Sequence, residues 1–279
     1  STWYKDPTNR SIGNISGWVA YRHMFKGETR PREGKLTVHP VWKQHAFVLP
    51  RAIAPIAIQY ISIKYFRLSW PMWMAGIVYS LAFITFVAML AFHLNALALK
   101  HGFLDGQVPR DGVPDARLKL TMLGIFFVAT VRLLFCCFIA YNRFETLYIT
   151  PWLSVHMFVY TIIVDFWFYI YHRAMHEIDE VIGILIIPLL AYLVYPSISS
   201  VYTTYTEVVG HSGVRLYQQQ PVTGPILRPF GMDMAGEDHD LHHRNGWRKS
   251  FKYTRIWDKL LSTARAGPRL EMVDENVDW

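Results

Sequence analysis

Six of the twelve histidines fall in three patterns that suit metal binding. Tyr171-His172-Arg173-Ala174-Met175-His176 puts two imidazoles at i and i+4. On a helix these share a face, so both can reach one cation. Asp238-His239-Asp240-Leu241-His242-His243 puts three at i, i+3 and i+4, again one face if helical. Between them lies Gly210-His211-Ser212-Gly213. Each pattern alone is weak, since an isolated HxxxH at a membrane end is more often an interfacial histidine than a ligand. Three histidines in five positions are rarer, and the co-occurrence beside one apolar block carries the argument.

Metal binding asks for neutral imidazoles whose tautomer is fixed by a carboxylate or carbonyl behind them. Such acids are present. Asp165 precedes His172 by seven residues, two turns down the same helix face, and Glu207 precedes His211 by four. Glu177, Glu237, Asp238 and Asp240 flank the clusters directly. An acid inside an apolar block, as Asp165 and Glu207 are, is costly and marks a functional site by default. Asp165, Glu207 and Asp238 are therefore the candidates for positioning or acid–base roles. The remaining histidines have an ordinary reading: His23, His39 and His45 sit in a polar arm, and His93 and His101 near a helix end. His156 lies sixteen residues before His172, more than ~20 Å down a helix.

The elements that must position these groups are membrane helices. Charged residues make up 18% of the 279 residues, against about 25% for a soluble domain, and the apolar residues gather in long blocks. Trp70–Leu99 has no formal charge, Leu120–Tyr141 has one in Arg132, and Tyr148–Tyr171 ends in the aromatic run Asp165-Phe-Trp-Phe-Tyr-Ile-Tyr171. All three exceed the roughly 20 residues a spanning helix needs. Pro50–Phe66 is apolar but short and interrupted by Pro55, which fits an interfacial or partly inserted helix. A further block, Val181–Val209, is broken at Pro188 and Pro196; it predicts either a hairpin that dips into the bilayer and returns, or a single crossing.

The net charge of +7 comes mostly from the ends, with nine Lys/Arg against three acids in residues 1–51. Basic flanks of this kind stay cytoplasmic. Nucleic-acid binding is the rival reading of a basic chain, but no basic stripe with interleaved aromatics lies outside the apolar blocks. Cys136 and Cys137 are adjacent and cannot close a useful loop, so no disulfide framework is expected. The chain starts at Ser1 without a signal-peptide run, and the absence of an initiating Met predicts a trimmed N-terminus. Together these features predict an all-α integral membrane protein: three or four transmembrane helices plus a proline-broken helical hairpin under a cytoplasmic, histidine-rich cap.

The histidine patterns resemble those of the fatty acid hydroxylase/sterol desaturase superfamily. The resemblance rests on Asp165 to His176, on Gly210-His211-Ser212-Gly213, and on Glu237-Asp-His239-Asp-Leu-His242-His243. It extends to Tyr253-Thr-Arg-Ile-Trp257-Asp258-Lys-Leu-Leu261-Ser-Thr263, which is similar to the family's closing WD-x-L-F-G-T segment. The resemblance covers roughly residues 148–265, expected to be a hydroxylase-like catalytic domain; composition and hydropathy set a cytoplasmic arm at 1–49 and membrane helices at 50–147 before it, and a tail at 266–279 after it. The resemblance implies O₂-dependent oxidation of a hydrophobic substrate (sterol, fatty acyl, terpenoid or polyketide). It further implies two irons held by His172, His176, His211, His239, His242 and His243. Electrons would arrive through cytochrome b5 or a reductase, and the clusters would face the cytosol from the endoplasmic reticulum membrane.

One departure matters. The family carries another HxxHH cluster about twenty residues after the first, whereas here no histidine occurs between His176 and His211, as if about thirty residues were cut at Ile178/Asp179. Six imidazoles do not obviously fill two iron spheres. Three readings stand open: the sequence omits a segment of the natural protein; the segment is lost and one metal or none remains; or Glu177, Asp179, Glu180 and Glu237 replace imidazoles, since iron accepts oxygen ligands. The second reading brings an alternative function, a non-redox isomerase, cyclase or dehydratase using His211 with Glu207, or His239 with Asp238, as acid and base. A non-catalytic membrane scaffold is a third class, and the retention of all three histidine patterns argues against it.

Overall fold

The computed structural model describes residues 36–104, 150–177, 198–233, 254–262 and 272–273, with single positions at 130, 134, 137, 138, 141 and 143. For residues 171, 174–177 and 272–273 the description covers the backbone only. The arm up to residue 35, most of Leu120–Tyr141, and the breaks at Pro188 and Pro196 lie outside the described residues. In chain order the elements are β1 (Leu36–Val38), α1 (Val41–Phe66), α2 (Met72–His101), α3 (Leu153–Glu177) and α4 (Ile198–Ser212). Then come β2 (Leu216–Tyr217), α5 (Gly224–Leu227), a 3-10 turn at Arg228–Phe230, α6 (Arg255–Leu260) and β3 (Met272–Val273). The described chain is thus mostly helical.

Among the described residues, three helices are long and apolar enough to cross a membrane: α1, α2, and α3 over Leu153–Ile170. The 30 residues of α2 extend about 45 Å, more than the ~30 Å hydrocarbon core. One side of α2 buries Ala75, Phe83, Phe86, Leu90, Leu94 and Ala98, while Trp73, Ile77, Leu81, Ile84 and Phe92 stand exposed on another. An apolar face this long is a liability in water and the ordinary surface of a helix in lipid.

The largest difference from the sequence expectation is α1. Instead of a polar arm to residue 49 and a short, broken segment, one 26-residue helix begins at Val41 and runs through Pro50 and Pro55. Each proline removes one backbone donor from the helix ladder. The Arg51 guanidinium adds a donor in this region, reaching the Phe47 carbonyl at 2.6 Å. Gln44, Val48 and Ala52, at i, i+4 and i+8, are buried, so packing along one face outweighs local polarity and proline content.

The chain divides into two compact units, one built on Pro55–Glu145 and the other on Glu33–Ala54 with Thr146–Trp279. In the first, a hydrogen-bond chain satisfies the buried amide of Gln59. Tyr79 Oη donates to Gln59 Oε1 at 2.7 Å, and Gln59 Nε2 donates to Tyr141 Oη at 3.1 Å. Tyr141 Oη passes on to the Trp70 carbonyl at 2.9 Å, and Trp70 Nε1 donates to Ser62 Oγ at 2.6 Å. A glutamine in an apolar helix requires such partners.

The second unit holds the candidate site. Its helices are joined by a small parallel sheet in the order β2-β1-β3, pairing Val38 with Tyr217 and Leu36 with Met272. No sequence pattern announces it, because strands of two or three residues are too short for any periodicity. Gly224, at the start of α5, sits where a Cβ would lie 2.9 Å from Gln219 Cβ. That neighbour is fixed to the backbone and cannot swing away. Gly224→Ala is expected to cost about 1–3 kcal/mol by overpacking, read as a lower unfolding midpoint in detergent.

Candidate metal centre

The site is built from α3 outward. Asp165 and His172 lie seven residues apart on this helix, about 10 Å along its axis. Asp165 is fully buried, and both of its oxygens serve one residue 89 positions away. Oδ1 accepts the Thr254 N–H at 3.3 Å and Oδ2 accepts Thr254 Oγ1–H at 2.5 Å. Thr254 is in turn the N-cap of α6, its Oγ1 accepting from the Ile256 N–H at 3.4 Å. Phe166, next to Asp165, packs its ring on Trp257 with centroids 4.8 Å apart. The two ends of the sequence motif, Asp165-Phe166 and Thr254 to Asp258, are therefore one joint.

That joint also gathers the chain before α6. Asp233 and Thr254 form an antiparallel bridge, and the Arg255 N–H donates to the Met232 carbonyl at 2.9 Å. Tyr217 of β2 donates its hydroxyl to Asp233 Oδ2. Asp165, Thr254, Asp233 and Tyr217 are all at most 3% exposed, so water does not compete for these bonds. The consequence concerns residues 234–253. This stretch carries Asp238, His239, His242 and His243, and the residues that bracket it, Asp233 and Thr254, are bridged beside Asp165 of α3, two turns before His172.

His211 comes from α4, which packs against α3. It occupies the last turn of α4, 41% exposed, with Nε2 at 3.2 Å from Glu207 Oε1 one turn earlier. The end of α4 follows from the next two residues. Ser212 Oγ donates to the Val209 carbonyl at 2.7 Å and accepts from the Val214 N–H at 3.3 Å. Gly213 has a φ of +62, a left-handed conformation that suits glycine and turns the chain toward β2. Glu207 thus engages the His211 ring through Nε2. If His211 is a ligand, Glu207→Gln should weaken metal binding about 10–100-fold while the helix stays intact. Metal titration of the stripped protein measures this.

Of the nine residues singled out from sequence, His172, His211, Asp165 and Glu207 have described side chains. His172 is half-buried on α3. His176 lies in the last turn of α3 with only its backbone described, and Asp238, His239, His242 and His243 lie outside the described residues. Among the described residues no three His, Cys, Asp or Glu side chains form a metal-holding group. The residue types are ones that iron accepts as donors. Imidazoles on two packed helices suit a first-row metal, and a carboxylate behind His211 is the usual support of a ligating histidine. Sequence reasoning missed Thr254, Asp233 and Tyr217. Thr254, just ahead of the short run Arg255-Ile-Trp-Asp258, carries an N-cap signal that could have found it.

No family model matches the chain, and no solved structure matches it. It is 30% identical to the fatty acid hydroxylase vlmA of a Lecanicillium species. The alignment runs over 293 residues and takes in 84% of this chain and 80% of that protein. It is longer than the chain's own 279 residues, so the relative contains positions with no counterpart here. Identity at this level, over most of both proteins and with the helical membrane architecture described above, places the chain in the fatty acid hydroxylase family.

Proposed function

We propose that this chain is a membrane-bound oxidoreductase that hydroxylates, desaturates or otherwise oxidises a hydrophobic substrate at a histidine-held iron centre. The observation that supports it most is the buried joint of Asp165, Thr254, Asp233 and Tyr217. It ties both ends of the segment bearing His239, His242 and His243 to the helix bearing His172. The ligands would be His172, His176, His211, His239, His242 and His243. Iron, when bound, supplies activation of O₂, a reaction protein side chains do not perform. Glu207 would hold the His211 tautomer, with Asp238 in the same role beside His239. Asp165 would keep the ligand segments in register.

In a hydroxylation one oxygen atom enters a C–H bond and the other leaves as water, consuming two electrons delivered one at a time by a donor such as cytochrome b5 or its reductase and two protons from solvent. The stretch between His176 and His211 carries no histidine, so six imidazoles are the candidate donors, enough to hold at least one iron without every one of them binding it. We further propose that residues 148–265 are the catalytic part and that α1 crosses the bilayer. With Leu120–Tyr141 also crossing, the arm and the histidines would share the cytosolic face of an endoplasmic reticulum membrane. The test is to incubate the purified full chain with lipid extract, electron donor and ¹⁸O₂. Labelled hydroxylipid that vanishes in His172→Ala is expected. Turnover that proceeds equally without O₂ would overturn the reading and favour acid–base chemistry.

A further inference from the structure

We propose that α5, the turn after it and α6 form an interfacial anchor that lies on the bilayer surface beside α3 and takes anionic phospholipid headgroups. This goes beyond the oxidation chemistry and needs neither iron nor turnover. Four large apolar side chains of this region, Ile226, Phe230, Leu260 and Leu261, are between 47% and 68% exposed. Scattered singly they would need no explanation, but bonds between the two segments bring them together. Lys259 Nζ donates to the Phe230 carbonyl at 3.2 Å, and the Arg255 N–H donates to the Met232 carbonyl at 2.9 Å. Leu260 and Leu261 follow Lys259 directly, and Ile226 precedes Phe230 by about one turn. Gly231 closes the turn with a φ of +61, its N–H donating to the Arg228 carbonyl at 2.8 Å. A Cβ there would lie 3.3 Å from Lys259 Nζ, so the close approach of the two segments also favours glycine.

Charge sorts by side. Residues 224–233 and 254–262 hold three basic residues, Arg228, Arg255 and Lys259, and two acids, Asp233 and Asp258. Both acids are 1% exposed, with Leu227 and Thr254 buried alongside, whereas Arg228 and Lys259 stand on the surface. The outer side of these two segments therefore offers bulky apolar groups and positive charge with no exposed acid between them. That composition suits the headgroup region, where apolar groups sink among acyl chains and cations meet anionic lipids.

Depth selects lipid over a protein partner. Trp257 of α6 packs on Phe166 of α3 with ring centroids 4.8 Å apart. The membrane-compatible stretch of α3 ends at Ile170, four residues after Phe166 and ~6 Å further along the axis. This places α6 level with the last turns of that stretch, within the ~5–10 Å to which interfacial helices sink. Trp167 and Ile170 of α3 are themselves 45% and 40% exposed, so apolar surface continues to this level. A face at that height meets the lipid that surrounds α3. The anchor would hold Asp233 and Thr254, and with them the two ends of the segment bearing His239, His242 and His243, at the bilayer surface.

The full chain in phosphatidylcholine nanodiscs tests this with two photoreactive phospholipids, each carrying a diazirine on the acyl chain near the glycerol. One has a phosphatidylcholine headgroup and the other phosphatidylserine, and labelled peptides are read by mass spectrometry with α2 as internal reference. Both are expected to label residues 224–233 and 254–262, the serine lipid about threefold more at low salt. Phe230→Ser with Leu260→Ser should cut labelling of both segments about fivefold and leave α2 unchanged. Arg228→Gln with Lys259→Gln should erase the headgroup preference while labelling by the choline lipid persists, and it serves should the first variant not fold. Labelling of α2 without these segments, or equal labelling by both lipids, would overturn the proposal. Cross-links between Lys259 of two chains in place of lipid labelling would assign the face to a second copy and overturn it too.

Discussion

Replacing Asp165 by alanine is expected to destabilise the protein by about 3 kcal/mol or more and to abolish metal retention, although Asp165 would touch no metal. The substitution deletes both acceptors of Thr254 at once, leaving a buried N–H and a buried hydroxyl without partners. Hydrogen bonds to a charged group contribute about 1.5–3 kcal/mol each, and orphaned buried donors add to the loss. Because Thr254 also caps α6 and bridges Asp233, the loss should spread through the second unit. Asp165→Asn keeps one carbonyl acceptor and should cost less than Asp165→Ala. Thr254→Val keeps the volume and removes the hydroxyl, and its effect should be less than additive with Asp165→Asn, since both changes act on the same Oγ1–Oδ2 bond. Denaturant unfolding in detergent reads all three. Full additivity would mean that the two residues act separately and that the joint does not hold the site.

The second large effect concerns His172. His172→Ala should eliminate both bound iron and O₂-dependent turnover while the folded helical signal persists, because a half-buried imidazole at the end of α3 carries little of the packing. His156→Ala is the matched control. It lies on the same helix sixteen residues earlier, exposed, and ~24 Å from His172 along the axis. It should leave metal content and turnover unchanged. Equal losses in both variants would show that substitution in α3 damages the fold rather than a ligand.

How much of this was legible in the sequence depends on the scale of the signal. Trp70–Leu99 and Tyr148–Tyr171 were readable as helices because of their length; α2 follows the first within two residues at each end, while α3 starts at Leu153 and runs on to Glu177. The first part of α1 was not, because Lys43, Gln44 and His45 look like an arm and Pro50 and Pro55 like breaks. What outweighs them is burial of Gln44, Val48 and Ala52 on one face, a tertiary effect no local rule contains. The His211–Glu207 pair was legible from its i, i+4 spacing alone. Asp165 was singled out for being an acid in an apolar run, and it does have specific partners. Those partners lie 89 residues away in Thr254, and only the folded chain reveals them. The His45–Tyr202 contact spans 157 residues, and neither residue type stands out in its own segment.

The measurement that tests the central claim most directly is iron per chain in protein expressed with iron in the medium and purified in detergent, read by elemental mass spectrometry. The account predicts at least one iron per folded chain, lost in His172→Ala and in His211→Ala. A folded wild-type chain without iron, or iron that persists in both variants, would contradict a centre held by these histidines.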